Sequence, residues 1–321
     1  MKKNFWKLLE KPFFVLAPMS DVTDAAFRRI IVKYGKPDVM FTEFVSCDGL
    51  LSEGREAILH NLEFIDEERP IVAQIFGGKP EHFYECAKVV SGLGFDGIDI
   101  NMGCPDRSVE KQGAGAALMK NPKCAREIIR ECKRGAGDVP VSVKTRIGYN
   151  KNELESWLPE ILTEEPAAVT VHARTRKEMS KVPAKWEDVA RAVAIRDEMK
   201  SETLIIGNGD VVDLNDAHEK AEKSGADGVM LGRAVFGNPW LFSHKSTRRP
   251  TSSRFVGERL RVMVEHTKLF EKLCSHKNFA TMKKHYKAYV NGFDGAKELR
   301  IKLMETKSAK EVESIVSDFL K

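Results

Sequence analysis

Residues 71–105 read IVAQIFGGKPEHFYECAKVVSGLGFDGIDINMGCP and contain a complete strand–helix–strand pattern. The outer runs, 71–77 and 97–103, are short and dense in Val, Ile and Phe, as strands buried on both faces are. Between them, residues 81–91 have a helix-like pattern. Strands joined in this way form a βαβ unit with parallel strands. This stretch therefore predicts a parallel α/β fold.

The same alternation continues on both sides of this unit, with helix-like segments such as 24–34, 122–134 and 186–200 between the strands. The eight strand-like runs are residues 13–19, 38–44, 71–77, 97–103, 139–146, 167–173, 203–209 and 228–233. Eight βα units within residues 13–242 match a (β/α)8 TIM barrel, which takes about 250 residues. A doubly wound sheet is the alternative, but no predicted strand is followed by a G-x-G-x-x-G turn. We therefore expect a TIM barrel over residues 1–242.

After Trp240 the strand pattern stops, and the sequence predicts a small C-terminal helical bundle. Residues 243–253, SHKSTRRPTSS, have the composition of a linker. Helical periodicity then runs from residue 254 to residue 320, with breaks near 275–278, 291–295 and 306–308. We expect residues 243–321 to form a separate helical domain.

Charge divides the chain at the same place. The net charge is +5, but residues 243–321 carry 18 Lys and Arg against 9 Asp and Glu, whereas the remainder is mildly acidic. A basic third beside an acidic scaffold is typical of a module that binds a polyanion such as nucleic acid. A solvated, lysine-rich helical surface explains the same count equally well.

Composition excludes several other classes of protein. With 42% hydrophobic and 31% charged residues among 321, the chain is too apolar to be disordered. No apolar run approaches the about 18 residues of a membrane helix, and no signal peptide is recognisable, so we expect a cytoplasmic protein with no membrane partner. The six cysteines form no C-x-x-C pair, which predicts free thiols and no metal site.

Polar residues collect at the carboxyl ends of the predicted strands. Hydrophobic burial cannot account for them, because each costs desolvation free energy if it is left unpaired. The residues concerned are Met19, Glu43, Gln74, Asn101, Lys144, Arg146, His172, Arg174, Asn208 and Arg233. A TIM barrel builds its site from these ends of the strands, so the pattern predicts a ligand site there.

Two of the loops that follow strands have the composition of a phosphate site. The loop after the seventh strand contains Asn208, Gly209 and Asp210, and the loop after the eighth contains Gly232 and Arg233. These loops frequently bind phosphate in TIM barrels, because glycine allows close backbone approach and arginine supplies a fork-shaped cation. Taken alone, G-N-G-D is also an ordinary turn.

Lys144 is expected inside the barrel, where an ammonium group is costly unless it meets an anion. It could stabilise negative charge on a flavin, form a Schiff base, or pair with a carboxylate such as Asp99. His172 could donate a hydrogen bond to a ligand or be structural. Gln74 and Asn101 both donate and accept, as recognition of an amide-bearing ring requires, although backbone capping uses the same groups.

Cys104 follows the fourth strand and precedes Pro105, which biases it away from helix and into a loop over the barrel mouth. A thiol with a pKa of about 8.5 is mostly protonated at neutral pH, so it could act as a general acid. A small buried hydrophobic residue is the other interpretation, and we apply it to the remaining five cysteines.

Several specific motifs occur together along the chain. They are APM at 17–19, TE at 42–43, AQIFG at 73–77, DINMGCP at 99–105, VEKQGAGAALM at 109–119, VKTRIG at 143–148, VHARTR at 171–176, GNGDV at 207–211, GRA at 232–234 and MKKH at 282–285. This set resembles the tRNA-dihydrouridine synthase family from about residue 13 to the end of the chain. DINMGCP followed by KQGAGA is its most specific part.

The resemblance implies a barrel that binds FMN and reduces selected uridines of tRNA, with NADPH as electron donor. Cys104 would be the general acid and Asn101 would orient the flipped uracil, while Arg174 and Arg176 would contact the RNA nearby. The implied FMN contacts are Ala17, Pro18 and Met19 against the ring, Gln74, Lys144 and His172 hydrogen-bonded to it, and Asn208, Gly209, Asp210, Gly232 and Arg233 on its phosphate.

Two other functions fit parts of the sequence. An FMN barrel acting on a free pyrimidine would be active without RNA but would leave the basic helical region unexplained. A non-catalytic RNA-binding protein on a degenerate barrel would be colourless when purified. The sequence leaves open which uridine is reduced and whether NADPH or NADH is preferred. It also leaves the oligomeric state open, with a monomer as the expectation.

Overall fold

The computed structural model of the chain describes residues 4–243 and 253–321, apart from the side chains of residues 253 and 254. It contains eight parallel strands: β1 Phe13–Leu16, β2 Met40–Ser46, β3 Ile71–Phe76, β4 Gly97–Met102, β5 Val141–Arg146, β6 Ala168–His172, β7 Leu204–Asn208 and β8 Gly228–Leu231. Their order is β1-β8-β7-β6-β5-β4-β3-β2. A parallel bridge between Val15 and Val39 brings β1 back to β2 and closes the ring. The TIM-barrel prediction is confirmed.

The α-helices of the described chain alternate with the strands and then continue beyond β8. They are α1 Ala25–Gly35, α2 Cys47–Leu50, α3 Arg55–Leu59, α4 Pro80–Gly92, α5 Arg107–Glu110, α6 Pro122–Ala136, α7 Leu154–Leu162, α8 Trp186–Glu198, α9 Leu214–Ser224, α10 Ser253–Leu273, α11 Lys283–Tyr289, α12 Ala296–Met304 and α13 Ala309–Phe319. Short polar side chains start several of them: the Asp24 carboxylate, for example, accepts the Phe27 N–H at 2.9 Å.

The barrel contains an apolar core. Its core consists of Trp6, Phe13, Val15, Ala17, Val39, Phe41, Val72, Ala168, Leu204, Ile206 and Met230. The polar residues predicted at the carboxyl ends of the strands lie mainly in the last residues of the strands or in the loops that follow them. Glu43 is an exception, because β2 runs on to Ser46 and so leaves Glu43 in the middle of the strand, at a register irregularity.

The chain forms two compact units. The first contains residues 4–19 and 38–232 of the described chain, and the second contains residues 20–37 together with the helices α10 to α13 and the segment from Arg233. The sequence pattern predicts a boundary at residue 242, with residues 20–37 in the barrel. The structure differs because Ala26, Ile30 and Trp240 belong to the hydrophobic core of the helical unit.

The helical unit has a core of its own, which includes Leu260, Phe270, Tyr286, Tyr289, Leu299, Leu303, Val312 and Val316. Its helices end near the predicted breaks, at Leu273, Tyr289 and Met304. The predicted linker, residues 243–253, falls almost entirely outside the described residues. Among the helices that the structure does describe, none combines the length and the apolar character needed to span a membrane.

Candidate functional site

A chain of buried, hydrogen-bonded side chains runs across β3, β4 and β5, from Asn101 near the carboxyl end of β4 to Ser142 near the start of β5. The Asn101 amide donates to Gln74 Oε1 at 3.0 Å, and the Gln74 amide donates to Asp99 Oδ2 at 2.7 Å. Ser142 donates to the other carboxylate oxygen of Asp99 at 2.6 Å. Burial raises the pKa of Asp99 to about 6. Both polar ends of the Gln74 amide therefore have protein partners, and its contact with a flavin stays a prediction.

Lys144 lies at the same end of the barrel with donors to spare. Its Nζ donates to Asn208 Oδ1 at 3.2 Å, and the Asn208 amide in turn donates to the Met230 carbonyl at 2.8 Å. No hydrogen bond or ion pair joins Lys144 to Asp99, although the structure describes both. Burial, reinforced by the nearby Arg146 guanidinium, lowers the pKa of Lys144 to about 8. An ammonium group held this way favours an anionic or electron-rich ligand.

In the loop that carries Cys104, the backbone N–H and carbonyl groups of both Gly103 and Cys104 are hydrogen-bonded. The Asn101 side-chain oxygen accepts the N–H groups of Gly103 at 3.1 Å and Cys104 at 2.9 Å. The Cys104 carbonyl accepts the Ala116 N–H at 2.9 Å, and the Gly103 carbonyl accepts Nε of Arg146 at 2.8 Å. Asn101 thus caps the loop, and its contact with a uracil stays a prediction.

The Cys104 thiol is partly exposed, whereas Cys47, Cys86, Cys132 and Cys274 are buried. It packs against a small apolar cluster of Phe76, Val109 and Ala114, with Phe44 at the margin. Burial raises the pKa of the Cys104 thiol above its ordinary value. The thiol is therefore protonated at neutral pH, which is the state a proton donor needs.

The loop after β7 has the backbone shape expected of a close ligand approach. Gly209 has φ +131° and Asp210 has φ +46°, both in the left-handed region. A Cβ on Gly209 would lie 2.7 Å from the Ala184 Cβ and 3.4 Å from the His172 ring. The Asp210 carboxylate is turned inward, where it accepts the Ala184 N–H at 2.9 Å and pairs with Arg174. Any phosphate contact here would use backbone groups.

The ends of β1 and β8 lie side by side. A Cβ on Gly232 would lie 3.5 Å from the Ala17 Cβ and 3.6 Å from the Met19 sulfur. Ala17 is buried, and Pro18 and Met19 are partly exposed. Arg233 begins the second compact unit and its side chain is exposed. A role for Arg233 and Gly232 at a phosphate stays a prediction.

The two arginines expected at the RNA are engaged inside the protein. The Arg174 side chain is only 2% exposed, and its guanidinium contacts the Val182 carbonyl at 2.7 Å, His172 Nε2 at 3.1 Å and the Asp210 carboxylate. Arg176 is paired with Glu110 through two hydrogen bonds. His172 is partly exposed at the end of β6. Direct RNA contact by Arg174 or Arg176 stays a prediction.

Sequence reasoning noted Arg146 but gave it no role. The structure buries Arg146 to 6% exposure and gives it three carbonyl acceptors, on Gly103, Thr175 and Met179. A lysine and an arginine two residues apart at a strand end is the only signal the sequence offers. The acceptors are backbone carbonyls, which residue identity does not reveal.

These groups lie where an α/β barrel places its reactive centre, at the carboxyl ends of the strands. A purely structural core does not need these features. They are a protonated thiol on a fixed loop, a buried ammonium group and a turn that contains glycine. The fold and the site together define a TIM-barrel enzyme.

Comparison with known proteins identifies the family. Residues 15–321 match the family model described as dihydrouridine synthase (Dus). A probable tRNA-dihydrouridine synthase of Staphylococcus epidermidis is 43% identical over 323 residues, covering 99% of this chain and 97% of the relative. A probable tRNA-dihydrouridine synthase 2 of Bacillus subtilis is 42% identical with the same coverage. The chain belongs to the dihydrouridine synthase family and is thus a flavin-dependent oxidoreductase.

Solved structures agree on the fold. Histamine dehydrogenase from Rhizobium sp. 4-9 matches with a TM-score of 0.56 at 14% identity, over 80% of this chain and 48% of that one. Morphinone reductase in complex with tetrahydroNAD matches with a TM-score of 0.52 at 13% identity, over 75% of this chain and 89% of that one. At such identities the likeness supports the barrel alone.

The residues present fit the flavin that the family implies. Apart from Asn208, the Lys144 ammonium group has no hydrogen-bond partner in the described part of the chain, so two of its donors are available to an electron-rich ring. No group of His, Cys, Asp and Glu in that part of the chain could hold a metal ion.

Proposed function

We propose that this enzyme reduces the C5–C6 double bond of specific uridines in tRNA, with FMN as its bound cofactor and NADPH as electron donor. Family membership and the names of the two bacterial relatives support the substrate. The observation that carries the proposal is the Cys104 loop, which presents a protonated thiol whose neighbouring backbone groups are all hydrogen-bonded. A tRNA substrate also places the reaction in the cytoplasm.

Reduction of the uracil requires a hydride and a proton. FMN held at this site would supply the hydride for C6, with NADPH as the source of electrons. Cys104 donates the thiol proton to C5, so that two hydrogens add across the double bond, and the thiolate regains a proton from solvent. Because burial raises the pKa of Cys104, the thiol stays protonated at neutral pH before the transfer.

Other side chains bind and orient the reactants. The Lys144 ammonium group offsets negative charge on the cofactor, and Asn208 fixes the direction of that ammonium group through the bond at 3.2 Å. His172 would donate a hydrogen bond to the cofactor, while Gln74 holds the Asn101 amide, which would orient the reacting base. Backbone groups of Gly209 and Asp210 would hold the phosphate of FMN. The further contacts in this proposal are Ala17, Pro18, Met19, Gly232 and Arg233.

A barrel mouth cannot reach a base that is stacked inside a folded RNA. The target nucleotide must therefore leave the stack and enter the site, which costs a few kcal/mol of unstacking free energy. In this proposal, binding of tRNA phosphates by the basic helical region offsets this cost. That region, residues 243–321, carries 18 Lys and Arg against 9 Asp and Glu. Residues 1–242 are the catalytic part in this proposal.

The decisive experiment combines cofactor analysis with single-turnover kinetics. The purified protein should be yellow and should release FMN on denaturation. After anaerobic reduction by NADPH, it should form dihydrouridine in tRNA from a strain that lacks the modification, as measured by nucleoside mass spectrometry. The variant Cys104→Ser should retain FMN and tRNA binding while losing most of this turnover. Undiminished turnover in the variant would exclude the thiol as proton donor.

The free-pyrimidine alternative predicts a different result in the same assay. Uracil or uridine alone would then be reduced with a kcat/KM similar to that for tRNA. The basic helical region argues against this outcome, because a small neutral base has no phosphates for those side chains to bind.

A further inference from the structure

Two loops at the barrel mouth are tied together by arginine side chains. The acid loop, residues 103–116, follows β4 and carries Cys104; the β6 loop, residues 173–185, follows β6. Arg146 at the end of β5 donates Nε to the Gly103 carbonyl at 2.8 Å. Its Nη1 donates to the β6-loop carbonyls of Thr175 at 3.1 Å and Met179 at 3.0 Å. One guanidinium therefore contacts both loops.

A second tie joins the same two loops further from the strands. Glu110 of the acid loop forms a bidentate ion pair with Arg176 of the β6 loop. The Arg176 guanidinium also lies over the Tyr149 ring, with its carbon 5.2 Å from the ring centroid. Bidentate pairs fix geometry as well as distance, so the two loops cannot shift independently while both ties are intact.

The β6 loop is itself anchored, at its far end, to the end of β7. Arg174 donates to the Val182 carbonyl at 2.7 Å, and the Asp210 carboxylate accepts the Ala184 N–H at 2.9 Å. The acid loop is therefore attached, through Arg146, to a loop that is fixed at both ends.

We propose that Arg146 is a positioning residue, which sets the place of the Cys104 thiol by fixing the acid loop to the β6 loop, with the Glu110–Arg176 pair as a second tie. This inference rests on the proposed role of Cys104 as proton donor. Within the described chain, the hydrogen-bond partners of Arg146 include no carboxylate, so its guanidinium serves to hold carbonyl groups. A shorter or neutral side chain cannot span the three acceptors with the same fork.

The fit of the acid loop against β5 explains why its position is sensitive to Arg146. A Cβ on Gly103 would lie 3.2 Å from the carbonyl carbon of Thr145, so the loop already contacts the strand closely. Loss of the Arg146 donors would leave up to three carbonyls without a partner, and the loop would move to reach water. A displacement of about 1 Å at a reacting group can cost on the order of 100-fold in rate.

The test compares Arg146→Gln and Arg146→Lys with Arg191→Gln in the holoenzyme. Arg191 on α8 is a matched control, because it also makes several bonds, but to Glu155 on α7 and Glu198 on α8 and to neither loop. We expect R146Q to slow single-turnover reduction of uridine in tRNA by about 10- to 100-fold without a matching change in KM, and to leave FMN reduction by NADPH unchanged. R146K should recover part of the rate, and R191Q should match the wild type.

A second readout follows the thiol itself and does not need turnover. Alkylation of Cys104 by iodoacetamide is measured across pH 6–10 and resolved by peptide mass spectrometry. Release of the acid loop should raise the limiting alkylation rate several-fold in R146Q. If R146Q does not fold, Arg176→Gln breaks the second tie and should shift both measurements in the same direction by less.

The outcomes separate this inference from the proposed function. An unchanged alkylation profile in R146Q, or a rate loss that appears only in KM, would overturn the positioning role. A wild-type enzyme that forms no dihydrouridine would refute the proposed function, whereas the alkylation profile would still show whether Arg146 fixes the loop.

Discussion

At the scale of single residues, the site is built by satisfying backbone groups around one reactive side chain. The Gly103 and Cys104 N–H groups donate to the Asn101 side-chain oxygen. The Gly103 carbonyl accepts from Arg146, and the Cys104 carbonyl accepts from the Ala116 N–H. Buried backbone groups without partners are costly, so these four bonds select one loop conformation. Cys104 is therefore held in place through its backbone, which leaves the thiol proton available.

Gly115 tests how closely this loop is packed. It has φ +60°, and a Cβ there would lie 2.8 Å from the Cys104 carbonyl oxygen and 2.8 Å from the Val109 side chain. We expect Gly115→Ala to destabilise the protein by about 1–3 kcal/mol through backbone strain and to slow uridine reduction as well, since the new methyl displaces Cys104. Thermal unfolding and single-turnover assays measure the two effects.

Gly113 is the matched control for that variant. Its φ of +71° carries the same backbone strain, but a Cβ there would meet nothing within 4 Å. Gly113→Ala should therefore lower stability without slowing the reaction. Equal rate losses in the two variants would show that strain, and not displacement of Cys104, limits the rate.

Lys144 gives the site a predictable response to pH. Because burial lowers its pKa to about 8, the ammonium group is charged below pH 8 and becomes neutral as the pH rises through that value. Affinity for FMN should fall over the same range. Lys144→Met should bind FMN about 10- to 100-fold more weakly at pH 7 and should lose this pH dependence, since a charge-assisted hydrogen bond contributes about 1.5–3 kcal/mol.

The measurement for Lys144 is fluorescence titration of the apoprotein with FMN from pH 6 to pH 9. Lys223→Met is a suitable control, because Lys223 is exposed and pairs with Glu219 on α9. A wild-type affinity that does not change between pH 7 and pH 9 would contradict the assignment of Lys144 to the cofactor.

At the scale of elements, the sequence predicted the strands and the larger helices closely. The pattern at residues 122–134 became α6, Pro122–Ala136, and the run at 203–209 became β7, Leu204–Asn208. Burial on both faces leaves a strong local signal in such strands. The hydrogen bonds between the loops leave no such local signal in the sequence. Arg146 is distant in sequence from its acceptors, and these are backbone carbonyls whose direction the sequence does not reveal. For the same reason, the sequence did not reveal the internal partners of Arg174 and Arg176, whose contact with RNA the family resemblance implies and which stays a prediction.

The helical unit contains a groove that we propose as a contact for the RNA backbone. It has a volume of about 430 Å³ and is lined by Lys287, Asn291, Lys297, Arg300, Ile301 and Met304. Lys287 and Lys297 are exposed, no acidic residue is among these lining residues, and the apolar lining residue Ile301 is 59% exposed. Three positive side chains with no acidic neighbour in the lining suit contact with the phosphates of an RNA backbone.

Substitution of the two lysines tests this groove. We expect Lys287→Gln together with Lys297→Gln to weaken tRNA binding and to reduce the slope of log Kd against log salt concentration by about two, which is about one for each phosphate that the variant no longer neutralises. Lys310→Gln, on α13 outside the groove, should leave the slope unchanged. An equal change in both proteins would point to general electrostatics. The FMN content should be the same in all of them.

At the scale of the whole molecule, the chain is organised as two units that are not consecutive in sequence. Residues 20–37 lie between β1 and β2 and yet belong to the helical unit. The sequence could not predict this, because the α1 pattern fits a barrel helix equally well. What assigns α1 is long-range packing, in which Ala26 and Ile30 share a core with Leu260 and Tyr289.

That helical core also contains two histidines that make the stability of the unit depend on pH. His266 and His285 are fully buried, with ring centroids 4.7 Å apart, and neither ring nitrogen of either residue has a hydrogen-bond partner among the atoms described. Phe27 and Phe236 pack against the His285 ring, and Phe27 and Tyr289 against the His266 ring. Burial lowers the pKa of His266 to about 3 and the pKa of His285 well below its usual value, helped by Lys277 and Lys284.

The sign of the effect follows from the proton balance. Below about pH 6.5 the unfolded chain takes up a proton on each histidine, whereas the folded unit does not until its depressed pKa is reached. The free energy of unfolding should therefore be highest above pH 6.5 and fall by about 1.4 kcal/mol per pH unit for each histidine on acidification. Hydrogen-exchange mass spectrometry of peptides from α10 to α13, in urea at pH 5 and pH 7.5, measures this loss. His266→Leu with His285→Leu should reduce the difference between the two pH values, whereas His276→Gln, at an exposed position, should preserve it; an equal acid loss in all three proteins would assign it to other groups.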